Sequence, residues 1–461
     1  MTGKSLLNCI NSSEGGKLFA PLYGHEGVEE ASRRYAGLVE GMLKFAGTPA
    51  QGPIGFSRDT PLRDFPETAG DLRLFTAPGR TELGGNHTDH NQGKVLAASI
   101  QLDQAAVAAP RKDGIVVFRS TGYPDAVVDL HERLEPDPAE KGTTEALIRG
   151  IAAEFVRRGT AVRGFTANAS SLVLSGSGLS SSAAVEVLIG RIFDNLYGGG
   201  KRSALELAQI GQKAENIFFG KPSGLMDQAA CAFGGAAAID FQNADHPQIT
   251  AIAFDPASAG YALCIVDTKG SHADLTGDYA GIPQEMKAVA RFFGKAVLRE
   301  LDWETVLSRA GGIRQALGDR ALLRSLHFFR ENQRVDAMLT VLEKMNSAGE
   351  NREKQLSRFL VLVNESGDSS WELLQNIFAP HKPGEQALAL ALALTREFIN
   401  NGNGEGNGAC RVHGGGFAGT IQAYIPLNAL PAYRSKMEAF FGPGAVTELR
   451  IRPIGAVELH V

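Results

Sequence analysis

The sequence predicts an α+β fold divided into two lobes, in which helices are segregated from mixed sheets. Short β-type runs at residues 73–76, 114–118 and 172–174 alternate with helical patterns in the N-terminal half, whereas residues 283–400 are largely helical. The chain has 461 residues, of which 43% are hydrophobic, and this is enough to bury the cores of two domains. Strands and helices that occupy separate regions are typical of the α+β class.

Three segments of different character follow one another along the chain. Residues 1–70 are predicted to be an N-terminal extension with the first helices, and their pattern assigns them no role. Residues 71–245 are predicted as an N-terminal domain and residues 246–461 as a helix-rich C-terminal domain, because Asp245-His246-Pro247 interrupts the pattern at the junction. One apolar stripe at helical spacing predicts a core-facing helix: Val335, Met338, Leu339, Leu342 and Met345.

Charge, cysteine content and the length of apolar runs limit the classes of function that the protein can have. The formal net charge is −5 with both signs interspersed, so no basic patch indicates a nucleic acid or an anionic membrane as partner. Four scattered cysteines without a C-x-x-C pair are typical of a reducing compartment. The N-terminus lacks a continuous apolar segment, and the apolar run 387–394 is too short to cross a bilayer. We therefore expect a cytoplasmic monomer or weak oligomer that binds small molecules.

A glycine- and serine-rich turn is the most informative segment. It joins the apolar run 172–174 to the helical pattern 185–189. Its glycines let the backbone approach an anion closely, its hydroxyls add donors or metal ligands, and the helix start offers unpaired N–H groups. The alternative interpretation is an ordinary turn rich in Gly and Ser. The turn predicts a phosphate-binding loop formed by Gly176, Ser177, Gly178, Leu179, Ser180, Ser181, Ser182 and Ala183.

Three further segments concentrate polar residues around glycines. Residues 77–91 place Arg80 and several imidazole and carboxylate groups among three glycines, a density that is unusual for a plain loop. Residues 214–228 place Glu215 and Asp227 twelve positions apart around a Pro-Ser-Gly turn, and residues 411–420 form another glycine loop.

Two other nucleotide-binding classes do not fit. The P-loop string Gly-x4-Gly-Lys-Ser/Thr does not occur in the sequence. Residues 414–419 satisfy Gly-x-Gly-x-x-Gly, but an alternating strand pattern follows at 420–425, where a dinucleotide fingerprint requires a helix. The sequence therefore disfavours a dehydrogenase.

Taken in this order, the four segments resemble the GHMP kinases, and within that family the galactokinases most closely. The Ser-rich loop matches Gly-x-Gly-Leu-Ser-Ser-Ser-Ala in full, and residues 214–228 match the core of Ala-Glu-His-x-Phe-x-Gly-x-Pro-Cys-Gly-Ile-Met-Asp-Gln. The resemblance covers roughly residue 72 to the C-terminus and implies a two-lobed GHMP kinase fold with its active site in the interdomain cleft. The signature Gly-Arg-x-Asn-Leu-Ile-Gly-Glu-His-Thr-Asp-Tyr-Asn-x-Gly is matched at Gly79, Arg80, Leu83, Gly85, His87, Thr88, Asp89, Asn91 and Gly93.

The resemblance implies an ATP- and Mg²⁺-dependent sugar 1-kinase that transfers the γ-phosphate to the anomeric hydroxyl of D-galactose. Asp227 matches the residue that faces this hydroxyl, and Arg80 matches the residue that keeps the carboxylate ionised and stabilises the phosphoryl group. Ser182 and Glu215 match the positions that coordinate Mg²⁺, a cation that takes few protein oxygens. The Gly- and Ser-rich loop matches the ATP-binding segment.

The sugar-binding signature departs from the family at positions 82, 84, 86 and 90, and two of these changes involve a carboxylate and an amide. Asn86 replaces the Glu that contacts the hydroxymethyl end of the sugar, and Glu82 replaces an Asn. Two alternatives therefore stay open: a kinase for another galactose-like sugar, such as N-acetylgalactosamine or L-arabinose, and a non-catalytic sensor of sugar and ATP. The residues expected to bind the substrate are Asn86, His87, Asp89, Gly224 and Tyr279.

Overall fold

A computed structural model describes residues 1–44, 71–132, 134–173, 176, 178–270, 275–401 and 408–460. Ser177 of the predicted phosphate loop, Leu174 of a predicted strand, and residues 45–70 of the predicted N-terminal extension lie outside these ranges. Within them, helices and mixed sheets confirm the α+β class.

The described residues form two sheets. In the larger sheet the order is β12-β1-β2-β5-β3-β4, with β6 and β7 continuing from β2, and in the smaller it is β11-β8-β10-β9. The pairs are antiparallel except for β3 with β5, which is parallel. The strands are β1 Arg73–Gly84, β2 Lys94–Pro110, β3 Ile115–Ser120, β4 Ala126–Asp129, β5 Phe165–Ser171, β6 Ala236–Asp240, β7 Gln248–Ile252, β8 Tyr261–Asp267, β9 Ala409–His413, β10 Thr420–Pro426, β11 Val446–Leu449 and β12 Val457–Leu459.

Helices dominate the second half of the chain, as the sequence predicts. On α10 the predicted stripe is buried, apart from the half-buried Leu339. None of the helices in the described ranges combines the length and the apolarity of a membrane span. The helices are α1 Gly3–Ile10, α2 Ser13–Lys44, α3 Thr144–Arg157, α4 Ser181–Phe193, α5 Ala204–Lys213, α6 Met226–Phe233, α7 Thr276–Phe292, α8 Trp303–Ser308, α9 Ala310–Leu317, α10 Asp319–Met345, α11 Arg352–Ser369, α12 Ala387–Asn400 and α13 Leu430–Phe441.

The first two helices cover one face of the larger sheet. Apolar side chains of α1 and α2, among them Phe19 and Tyr35, share a buried cluster with Leu74 of β1 and Val107 of β2. Beside this cluster, the buried Asp103 carboxylate accepts hydrogen bonds from Tyr23 and Arg34 of helix α2 and from Arg452 near the C-terminus. Residues 3–44 thus have a packing role that their pattern did not reveal.

The boundaries at residues 70 and 245 stay predictions. Strand β7 begins after residue 245 and pairs with β6, and the last strand, β12, returns from the C-terminal part to pair with β1. The larger sheet therefore draws strands from both sides of the predicted division.

Three connections bring the polar segments to one place. Strand β1 passes register shifts against β2 after Pro78 and after Glu82, and it ends in the loop 85–91. Strand β5 leads into the serine-rich turn at the start of α4, and the β9–β10 turn of the smaller sheet approaches both. Residues 414–419 therefore join two antiparallel strands, which confirms the predicted strand at 420–425.

Candidate active site

A cavity of about 410 Å³ lies where these connections meet. Its wall is formed by the loop after β1, the serine-rich turn, the segment before α6, the start of α7 and the β9–β10 turn. The structure brings most of the predicted site residues to this wall: Arg80, Asn86, His87, Asp89, Gly176, Gly178, Ser180, Ser181, Ser182, Gly224, Asp227 and Tyr279.

The serine-rich turn presents backbone to the cavity. Gly176, Gly178 and Ser180 have positive φ values of 75°, 70° and 60°, so the chain turns sharply before α4 begins at Ser181. No described side chain caps the first turn of α4, so its amide groups and the positive end of the helix dipole are available to an anion. Two other predicted loop residues, Leu179 and Ala183, bury their side chains in the core.

Asp227 is held by a cation and a hydroxyl at the edge of the cavity. The Arg80 guanidinium donates to Asp227 Oδ1 through Nε at 2.8 Å, and the Ser180 hydroxyl donates to Oδ2 at 2.5 Å. Burial would raise the pKa of Asp227, but Arg80 and Ser180 outweigh burial and hold its pKa below the ordinary value. Asp227 is therefore a carboxylate at neutral pH.

Glu215 faces the serine-rich turn from the segment before α6. The Ser182 hydroxyl donates to Glu215 Oε1 at 3.1 Å, and Gln228 Nε2 donates to Oε2 at 2.9 Å. A hydroxyl and a carboxylate side by side are hard oxygen ligands of the kind that Mg²⁺ takes, so the donor set fits this cation. Lys221 and Ser223, which the sequence had not singled out as site residues, also donate to Glu215.

His87, His90 and Tyr279 form an aromatic group that lines the cavity from the loop 85–91 and helix α7. The rings of His87 and Tyr279 are 5.0 Å apart, and His90 Nε2 lies 3.3 Å from the Tyr279 hydroxyl. Burial, together with the neighbouring His90, lowers the pKa of His87 to about 3, so its ring is neutral. Because His87 Nε2 donates to the Gly415 carbonyl at 2.9 Å, Nδ1 is the unprotonated nitrogen.

Gly224 lies directly against the carboxylate of Asp89. A Cβ atom built on Gly224 would stand 1.7 Å from Asp89 Oδ2, which no side chain can do without displacing that carboxylate. The glycine thus allows Asp89 to reach the cavity, and the sequence offered only the Pro-Ser-Gly turn as a signal for this contact.

If Asp89 binds a sugar, as the resemblance implies, replacing Gly224 by Ala is expected to raise the KM for that sugar about tenfold or more, because the new methyl group displaces Asp89. The KM for ATP should change little. Steady-state kinetics with each substrate varied in turn would measure both values. Gly37 on helix α2 has no atom within 4 Å of its Cβ position, and Gly37→Ala is the matched control. Equal increases in both KM values would contradict a local effect at Asp89.

Asn86 lines the cavity, but its amide group is occupied by the protein. Its Nδ2 donates to Glu82 Oε1 at 3.1 Å and to the Gly414 carbonyl at 2.8 Å, and its Oδ1 accepts from Asn376 at 2.9 Å. Glu82 in turn forms a fully buried ion pair with Arg411. Asn86 therefore connects the loop 85–91 to the β9–β10 turn.

A second layer beneath the loop comes from helix α10. The Glu331 carboxylate accepts from the Gly85 amide at 3.1 Å and from the Ser366 hydroxyl at 2.6 Å, and it pairs with Arg334. His327 Nε2 lies 2.8 Å from the Asn86 carbonyl. Burial opposes ionisation of Glu331, but Arg334 and the other polar partners lower its pKa to about 2.

Glu331→Gln is expected to reduce the free energy of unfolding by about 3 kcal/mol at neutral pH, because it leaves Arg334 without its buried partner. The folded-state pKa of Glu331 lies below the ordinary value of 4.5, so its contribution is present above pH 4.5 and is lost as the pH falls toward 2. Urea unfolding of both proteins across this range would test it, with the exposed Glu343→Gln on the same helix as control. A difference that does not shrink on acidification would contradict the assignment.

Comparisons with known proteins place this geometry in a class. Residues 146–235 match the family "GHMP kinases N terminal domain", and residues 63–110 match the "Galactokinase galactose-binding signature". The fold is thus that of a GHMP kinase. A galactokinase of Glaesserella parasuis is 32% identical over 362 residues, which cover 78% of this chain and 86% of the relative. A galactokinase of Streptomyces coelicolor is 33% identical over 278 residues, covering 59% and 69%. The chain belongs to the galactokinase family, and it is a phosphotransferase with an alcohol group as acceptor.

Solved structures agree on the fold. The Lactococcus lactis galactokinase complexed with galactose superimposes with a TM-score of 0.69 at 24% identity, covering 85% of this chain and 96% of that one. A mevalonate kinase of Methanococcus jannaschii has a TM-score of 0.57 at 13% identity, covering 83% and 99%. Both share the arrangement of mixed sheets and helices described above.

Proposed function

We propose that the protein is an ATP-dependent galactokinase of galactose metabolism, which converts D-galactose and ATP into galactose 1-phosphate and ADP. One observation carries the proposal: an ionised Asp227, paired with Arg80 and Ser180, lies between a phosphate-binding turn and a loop rich in sugar-binding groups. Relatives of this family at about 30% identity over most of their length support the same activity.

In this mechanism the anomeric hydroxyl of the sugar attacks the γ-phosphorus of ATP. Its proton passes to Asp227 as the new O–P bond forms and the bond to the ADP oxygen breaks. Asp227 is a weak base because Arg80 lowers its pKa, so the proton moves late, when the hydroxyl has become acidic. Arg80 also stabilises the negative charge that develops on the phosphoryl oxygens.

Nucleotide binding is assigned to the turn that begins α4. The amides of the first helical turn and the loop glycines face the cavity and suit the charge of the phosphates. Ser182 and Glu215 are the residues that would hold Mg²⁺. When bound there, Mg²⁺ neutralises phosphate charge.

Sugar binding is assigned to the part of the wall formed by the loop 85–91 and helix α7. Asp89 and the neutral His87 offer acceptors to sugar hydroxyl groups, and Tyr279 packs against the His87 ring. Groups that accept hydrogen bonds in fixed directions discriminate against a sugar with an inverted hydroxyl, because a buried acceptor would lose its partner.

The test is ADP release in the presence of ATP and Mg²⁺ across a panel of acceptors, with the product identified by NMR. We expect D-galactose to give galactose 1-phosphate, and methyl β-D-galactoside, whose anomeric oxygen is blocked, to give none. Faster turnover of N-acetylgalactosamine or L-arabinose would favour the alternative sugar kinase. ATP binding without turnover of any sugar would favour a non-catalytic sensor.

The remaining assignments are also proposals. Four free cysteines support a reducing compartment such as the cytoplasm. The interspersed charges support a protein that works as a monomer or weak oligomer on small molecules, with sugar and ATP as its partners.

A further inference from the structure

Lys221 places a second cation at the phosphate-binding end of the cavity. It follows the turn that carries Glu215, and its Nζ lies 2.8 Å from Glu215 Oε1. The same carboxylate oxygen accepts the Ser182 hydroxyl, so the ammonium group and the start of α4 meet at one atom. The Lys221 side chain is 46% exposed, whereas that of Glu215 is 2% exposed. Lys221 therefore reaches the site from the solvent side.

Glu215 has other hydrogen-bond donors besides Lys221. Ser182 donates to Oε1, and Ser223 and Gln228 donate to Oε2. These three neutral donors satisfy both carboxylate oxygens without Lys221. A half-exposed lysine on a flexible stem can therefore exchange Glu215 for another oxygen of equal charge without rearranging the backbone.

Lys221 also differs from the other permanent cation of the cavity wall. Among the described residues that line the cavity, these cations are Arg80 and Lys221. The Arg80 side chain is 5% exposed and is engaged by Asp227 and by the Gly178 carbonyl. A triphosphate entering the cavity brings several negative charges, and the mobile ammonium group of Lys221 can move toward them.

We propose that Lys221 is a phosphate-binding residue that contacts the terminal phosphates of ATP, and that its ion pair with Glu215 is the contact it makes before the nucleotide enters. The proposal rests on the proposed kinase function. The proposal also explains how Glu215 becomes available to Mg²⁺. The Lys221 ammonium group leaves the Glu215 carboxylate for a phosphate oxygen, and Mg²⁺ would take its place beside Glu215.

Calorimetric titrations of the whole protein with AMP-PNP and with AMP, both at saturating Mg²⁺, would test the proposal. Mg²⁺ and Lys221 both compete for Glu215. Keeping Mg²⁺ saturating in every titration makes this competition the same in all measurements. We expect Lys221→Met to weaken AMP-PNP binding about tenfold, because a charge-assisted hydrogen bond is lost. AMP binding should be unchanged, because AMP lacks the terminal phosphates. Lys221→Arg should restore most of the affinity for AMP-PNP.

Lys213→Met is the matched control, because Lys213 lies two residues before Glu215 but pairs with Glu154 away from the cavity. Thermal unfolding of each variant would verify that it folds. Equal AMP-PNP affinity in the wild type and in Lys221→Met would overturn the proposal, as would an equal loss in Lys213→Met. Failure of the wild type to bind AMP-PNP would instead overturn the proposed function itself.

Discussion

Asp227→Asn is expected to lower kcat by about 10²- to 10⁴-fold, the range that a positioned general base contributes. The amide keeps the size of the carboxylate but accepts no proton from the sugar hydroxyl. It also leaves the guanidinium of Arg80 without the charge that it contacts at 2.8 Å. Because the other groups proposed to bind the two substrates are unchanged in this variant, the KM values should change far less than kcat.

The matched control is Asp240→Asn, which removes an Asp–Arg pair outside the cavity. Asp240 accepts from Arg299 at 2.8 Å and does not line the site, so kcat should stay within about twofold of the wild type. Single-turnover kinetics would separate the chemical step from product release. If Asp227→Asn keeps more than a tenth of the wild-type rate, another group takes the proton.

The sequence predicts which residues line this site better than it predicts their arrangement. The resemblance to the family's motifs singled out Asp227 and Arg80, which lie 147 positions apart and meet in the structure. The Ser180 hydroxyl also donates to Asp227. The loop motif predicted Ser180 only as an ATP-binding residue. Local motifs predict which groups face a cavity, because turns and helix starts are local structures.

Groups that reach the site across the fold were not predictable in the same way. Glu331 and His327 lie on α10 and support the loop of residues 85–87 from a distance of more than 200 positions along the chain. A helical pattern predicts which face of α10 is buried, but not which loop that face meets. The same helical periodicity predicted that residues 283–400 are largely helical. The strand order, with β12 returning to β1, was not, because alternation carries no information about the partner strand.

Asn86 shows how a residue identified by resemblance can acquire a different environment. The family places Asn at position 82 and Glu at position 86, and this chain has the two residue types exchanged. In the structure the two side chains are hydrogen-bonded to each other, at 3.1 and 3.3 Å. Burial raises the pKa of Glu82, and Arg411 opposes that effect. One buried carboxylate is thus kept near the loop, but at position 82 and paired with Arg411.

This exchange predicts strong coupling between the two positions. Glu82→Asn alone leaves Arg411 buried without a carboxylate, and we expect it to reduce the free energy of unfolding by about 3–5 kcal/mol. Asn86→Glu alone brings a second carboxylate against Glu82 and should also destabilise the protein. The double variant again has one amide and one carboxylate. It should therefore recover about 2–3 kcal/mol relative to the sum of the single changes.

Urea unfolding of the four proteins in a double-mutant cycle would measure this coupling. Glu82→Gln serves as the control, because it removes the charge of Glu82 without shortening the side chain. Strictly additive losses would contradict the exchange and would mean that Asn86 and Glu82 act independently.

The same four proteins also test specificity. Position 86 lies in the cavity wall, so the double variant places a carboxylate there. The double variant should therefore favour D-galactose over L-arabinose, which lacks the hydroxymethyl group, more strongly than the wild type does.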